Sequence, residues 1–156
     1  MTARPIPDGY HTVTPYLSIK GAKEAIEFYK QAFGAVEIFR LPTPTGEIGH
    51  AEISVGDSRI MMSEPCDESP IPSPEALGGS TIGIHLYVDD VDALFAQAVE
   101  AGATPLKAVA DQFYGDRLGT LRDPFGHVWF IGTHKEDLTP EQITERAAAM
   151  FGTGPG

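Results

Sequence analysis

His50 and Glu52 stand two residues apart in an alternating stretch, so the imidazole and the carboxylate project from the same side of a strand. Brought together with His85, they would give two imidazoles and a carboxylate, a set that suits Fe(II) or Zn. The plainer alternative is a polar lining with local hydrogen bonds. His85 is also the leading general acid or base, because an imidazole titrates near neutrality, and Glu52 comes second if burial lifts its pKa. Neither has a nucleophile beside it in sequence. Phe113-Tyr114-Gly115-Asp116-Arg117 is a loop with two aromatics and a guanidinium. Tyr114 and Arg117 can close over a pocket and meet an anionic ligand, or Asp116 and Arg117 can form an exposed ion pair of little worth. His127 and His134 flank the last strand and read as turn or surface residues.

The elements that must position these groups belong to a small acidic chain. Its 156 residues carry a net charge of -11, which opposes nucleic acid and anionic membrane surfaces by long-range repulsion. One thiol, Cys66, cannot form an internal disulfide, so a reducing cytoplasmic setting is expected. Residues 1–9 lack a signal-type apolar stretch, and no apolar run approaches membrane-spanning length.

After a Pro-rich arm over residues 1–9, His11 to Ile19 alternates, with Val13, Leu17 and Ile19 opposite Thr14, Tyr16 and Ser18. Ala22 to Phe33 has helical spacing and stops at Gly34. Val36 to Leu41, Ile48 to Val55 and Ser58 to Ser63 read as strands. Residues 65–80 are rich in Pro and Gly and read as a linker without a core element. Thr81 to Val88 alternates again, a helix capped by Asp89 or Asp90 runs to Ala101, and a weak strand covers Pro105 to Ala110. Arg117 to Arg122 and His127 to Gly132 form a hairpin around Asp123-Pro124-Phe125-Gly126, where Asp, Pro and Gly occupy turn positions that favour them. Thr139-Pro140-Glu141-Gln142 opens a terminal helix through a capping box. Residues 10–64 and 81–134 are therefore two βαβββ modules, and residues 135–156 a terminal helix and tail. The predicted class is α+β, with curved mixed sheets around a shared cleft.

This repeat resembles the vicinal oxygen chelate superfamily, which includes glyoxalase, bleomycin-resistance protein and extradiol dioxygenase. The pieces that carry the resemblance are Ala25-Ile26-Glu27-Phe28-Tyr29 with Phe33-Gly34-Ala35, and Asp123-Pro124-Phe125-Gly126-His127. Thr14-Pro15-Tyr16-Leu17, Ile60-Met61-Met62-Ser63 and Gln112 to Arg117 look like its PhnB-like branch. The resemblance implies metal ligands on the first and last strands of each module, at positions that here hold Thr14, Met61, Gly83 and Phe130. Thr is a poor ligand, Gly has no side chain, a thioether is too soft for Mg, Mn or Fe(II), and Phe cannot donate. No metal or other cofactor is expected at those positions.

The cleft is expected to be lined by Thr14, Tyr16, His50, Glu52, Met61, His85, Tyr87 and Phe130, with Tyr114 and Arg117 at its edge. Aromatic and apolar walls with a few polar groups suit a small molecule. The resemblance implies a homodimer that binds an aromatic or cationic compound. The alternative is an enzyme acting on a small carbonyl or phosphonate-like compound, without the metal or through the displaced His50, Glu52 and His85 set. A third reading, filled clefts and a purely structural role, also stands.

Overall fold

A computed structural model describes residues 2–152; Met1 of the expected arm and residues 153–156 of the expected tail lie outside them. The first module runs β1 (Tyr16–Ser18), α1 (Ala22–Phe33), β2 (Val36–Pro42), β3 (Ile48–Val55) and β4 (Ser58–Ser63). A short helix α2 (Pro74–Leu77) follows, and then the second module: β5 (Gly83–Tyr87), α3 (Val91–Ala101), β6 (Thr104–Asp111), β7 (Asp116–Arg122) and β8 (Val128–His134). Helix α4 (Pro140–Phe151) ends the described chain, opened by the expected capping box of Thr139 and Gln142. The architecture is α+β.

Each module folds into a four-stranded mixed sheet, in the orders β1-β4-β3-β2 and β5-β8-β7-β6. The first strand of each pairs in parallel with the last, and the register repeats. Tyr16 lies opposite Met61 and His85 opposite Phe130, with 85−16 = 69 and 130−61 = 69.

One face of each sheet is apolar and lies under a helix layer in which α1 and α3 pack side by side. The N-terminus of α1 begins after Gly21, which has no side chain to cap it. The Glu64 carboxylate at the end of β4 substitutes, accepting the Gly21 and Ala22 amides at 2.9 and 2.8 Å. Gly34 ends the helix in the left-handed region at φ 68°, a conformation costly for other residues.

α1 also reaches the second sheet. Its Tyr29 and Phe33 rings lie 5.3 and 4.6 Å from the fully buried Trp129 ring of β8. Between them sits Asp123, only 3% exposed. It accepts from the Tyr29 hydroxyl at 2.5 Å, the Trp129 indole at 2.9 Å, and the Phe125 and His127 amides at 2.9 and 3.0 Å.

Four details differ from the sequence expectation. β1 is shorter, because Pro15 has no amide to donate; its carbonyl still accepts from Met61, and Val13 is exposed. The linker is not devoid of structure: Ser73 caps α2, and both Ser73 and Pro74 are buried, with Pro74 packed on the turn at Gly126. β6 is longer than the weak strand foreseen, pairing with β7 through two register shifts, the first of them directly after Pro105. His127 is buried rather than a surface residue, its Nε2 donating to the Ser18 carbonyl at 3.3 Å. No helix among the described residues is long and apolar enough to cross a membrane.

Replacing Asp123 with Ala orphans four donors, each worth about 1–3 kcal/mol when left buried and unpaired. Urea unfolding should therefore show a loss of at least about 3 kcal/mol in this variant. Burial, followed by the Asp123 charge and hydrogen bond, pushes the Tyr29 phenol well above its ordinary value. The fold therefore favours the protonated phenol. That contribution is complete below the unfolded tyrosine pKa of about 10 and is lost as pH climbs towards the folded value. Alkaline unfolding followed by near-UV absorbance should be less steep in Tyr29→Phe.

Candidate functional site

Alternation along the strands leaves each sheet with an open face, turned away from the helices. On the first sheet this face carries Tyr16, Phe39, Leu41, His50, Glu52 and Met61. Register places Met61 opposite both Tyr16 and Glu52, and sets Leu41 opposite His50. The Tyr16 hydroxyl lies 3.0 Å from His50 Nδ1, and His50 Nε2 lies 3.0 Å from Glu52 Oε2. The Phe39 ring stands 6.3 Å from the imidazole, and the three linked groups are only partly covered.

On the second sheet, His85 lies between two rings, 4.6 Å from Tyr87 and 6.0 Å from Phe130. Phe130 occupies the space where a side chain on Gly83 would stand. The Tyr87 hydroxyl donates to Asp116 Oδ2 at 2.8 Å, and His134 Nδ1 donates to Asp116 Oδ1 at 2.8 Å. Asp116 is 5% exposed, so its charge depends on these two donors. The hydrogen bond to Asp116 and, after it, desolvation push the Tyr87 phenol up. Burial first, then the Asp116 charge, raises that of Tyr114. His134 is raised by its bonds to Asp116 and then to Asp137, which accepts from Nε2 at 2.7 Å.

Between β1 and β5 lies a groove of about 620 Å³. Tyr16 and Ser18 form one side and Gly83 and His85 the other, with the linker residues Ile71 and Pro74 as a third wall. Ser18 Oγ is buried with no hydrogen-bond partner among the described residues. A second cavity, of about 780 Å³, continues the seam past Thr14, Arg59 and Tyr87, and His85 borders both.

The candidate residues thus divide into two groups. Tyr16, His50, Glu52 and Met61 gather on the first sheet; His85, Tyr87 and Phe130 gather on the second. The expected convergence of His50, Glu52 and His85 does not occur: the first two are bonded to each other and His85 lies among rings on the other sheet. Among the described residues, no three His, Cys, Asp or Glu side chains are placed to hold a metal ion. Arg117 faces away from both grooves. Asp92 at the start of α3 grips it at 2.8 and 3.0 Å, and Asp111 at 3.2 Å, which raises the guanidinium pKa and lowers that of Asp92. The Asp116–Arg117 ion pair is also absent, since neighbours on a strand point to opposite faces. Phe113 beside Tyr114 is held by α4, through the Phe151 ring at 5.8 Å and Arg146 on its carbonyl.

Sequence reasoning missed Asp116 as a buried anchor, His134 as its partner, and the linker as a wall. Alternation puts Asp116 on the face of Thr120, which was legible. The reach of His134 across the hairpin was not.

Residues 10–131 match the glyoxalase/bleomycin resistance protein/dioxygenase superfamily, and the chain belongs to it. It is 39% identical over 147 residues to an uncharacterised protein of Mycobacterium bovis, covering 92% of this chain and 95% of that one. Among solved structures, TioX from Micromonospora sp. ML1 is similar with a TM-score of 0.63 and 25% identity, over 83% of this chain and all of that one. The PhnB protein of Bacillus cereus shares the fold at a TM-score of 0.61 and 16% identity, over 79% of this chain and 99% of that one.

The clasp on His134 gives a pH test. Its folded pKa is raised, so the stability it contributes is present below the ordinary histidine value of about 6.5 and is lost as pH rises through the folded value. In an NMR titration, Asp137→Asn should move the His134 midpoint down towards that ordinary value. An unchanged midpoint would mean that Asp137 does not act on the ring.

Proposed function

We infer that this protein binds a small planar molecule in the seam between its modules, without a metal at the superfamily's ligand positions. The carrying observation is the groove itself: an opening of about 620 Å³ with aromatic and apolar walls and isolated polar groups. Thr14, Met61, Gly83 and Phe130 supply no imidazole or carboxylate, and Phe130 fills the space beside Gly83 with an aromatic ring. Binding by stacking and hydrogen bonding is the chemistry these residues support.

In this reading Tyr16 and Ser18 form one wall and Gly83 and His85 the other, and Thr14 and Tyr87 line the continuation of the seam. Met61, Phe130, His50 and Glu52, expected in the lining, lie on the adjoining open faces and border neither cavity. The net charge of -11 favours a neutral or cationic compound. A homodimer fits the exposed Val36 and Ile38 of the edge strand β2, and the single thiol Cys66 fits the cytoplasm.

Thermal-shift screening with planar aromatic compounds should raise Tm. His85→Ala and Tyr16→Ala should each weaken a stabilising compound several-fold, the loss expected from about 0.5–1.5 kcal/mol of ring contact. Elemental analysis of the purified protein should find less than stoichiometric transition metal. One tightly held ion per chain, removable only by chelation with loss of ligand binding, would overturn this reading.

A further inference from the structure

We propose that Tyr16, His50 and Glu52 form a proton relay that takes up the proton of an aromatic hydroxyl, so that the ligand accepted at this face is a phenol bound as its phenolate. The inference deepens the small-molecule reading above and rests on it. It starts from the order of the three groups. An ionised Glu52 can only accept, so the hydrogen between it and His50 belongs to Nε2. In the neutral ring that leaves Nδ1 as an acceptor, and the Tyr16 hydroxyl must donate to it. The Tyr16 oxygen then turns its lone pairs outward, towards whatever lies on the open face. A group there is met by an acceptor and must itself bring a hydrogen.

The transfer balances within the complex. The ligand O–H bond breaks as a new O–H bond forms on Tyr16; the original Tyr16 O–H bond breaks as His50 Nδ1–H forms. The ligand becomes a phenolate and His50 an imidazolium, which Glu52 stabilises by charge and hydrogen bond. No net charge enters, so the overall charge of -11 does not repel the incoming compound.

The surroundings favour an aromatic ring on that hydroxyl. Phe39 and Leu41 are exposed beside His50, and Met61 lies in register with Tyr16 and Glu52, a flat apolar surface with an adaptable thioether. Arg59 shares the face one pair further along. It is turned to the N-terminal arm, with Nε donating to the Gly9 carbonyl at 3.4 Å and the guanidinium 5.5 Å from the Tyr10 ring. The positive charge next to the bound oxygen therefore has to arise on His50. His85 lies on the other sheet, with its ring against Tyr87 and Phe130.

The probe is 4-nitrophenol, whose phenolate absorbs in the visible, mixed with the full chain at a pH below the compound's own pKa. The nitrophenolate band should appear and saturate with protein, and the ¹⁵N signals of His50 should move to those of an imidazolium. Tyr16→Phe and His50→Gln should each lose the band while still binding 4-nitroanisole, which has the ring without the acidic hydrogen. Binding of 4-nitrophenol in its neutral form, or a band undiminished in both variants, overturns the relay, while continued 4-nitroanisole binding leaves the groove reading intact. If neither compound binds, the relay and the groove reading both fall. Should the variants not fold, the free wild-type protein decides: His50 protonated on Nδ1 with a bare Nε2 sinks the proposal.

Discussion

Asp123 accepts four hydrogen bonds, and the arrangement of the whole molecule depends on where they come from. Two are amides of its own turn, one is the indole of the strand that follows, and one is the phenol of a helix in the other module. A buried carboxylate with any of these missing is costly, so the helix and the hairpin are obliged to meet. The Tyr29, Phe33 and Trp129 rings then pack around that fixed point. The turn residues and the inter-module contact are thus set by the same side chain.

That attachment decides which surfaces remain open. With α1 and α3 held together in one layer, the helix-facing sides of both sheets are buried, and the opposite sides remain for chemistry. The seam between β1 and β5 has no ladder hydrogen bonds across it, and the two cavities lie along it. A wall of the first cavity comes from the linker, where Pro74 rests on Gly126, whose φ of 97° and missing side chain permit the approach.

Much of this could be read from residue order. α1, β3 and β4 fall at the bounds their spacing gives, because strong periodicity, Gly34 and the turn at Gly56-Asp57 coincide there. The repeat was legible for the same reason, and its offset of 69 recurs in the strand register. Side-chain partnerships across modules were not legible. Nothing local to His127 tells that Ser18 will present a carbonyl to it, and nothing in Pro65 to Ser80 tells that Ser73 and Pro74 will be buried, with Pro74 against the hairpin turn. Arg117 illustrates the same limit. Its neighbour in sequence is an aspartate, but its partners come from α3 and β6, because the pleat separates adjacent residues.

The two open faces are related by the repeat, yet their polar chains differ in one decisive respect. On the first sheet the imidazole lies in the middle, between the Tyr16 phenol and the Glu52 carboxylate. On the second the Asp116 carboxylate lies in the middle, between the Tyr87 phenol and the His134 imidazole. A central imidazole has one nitrogen that gives and one that takes, so a proton can pass along the chain. A central carboxylate draws both neighbouring protons inward and passes neither on, which makes it a clamp. The central carboxylate of the clamp is buried although its two partners are exposed, and it steadies the strand that leads to α4, while the central imidazole of the other chain is only partly covered. The structural repeat therefore carries a clamp in one half and, under the relay we propose, a path for a proton in the other.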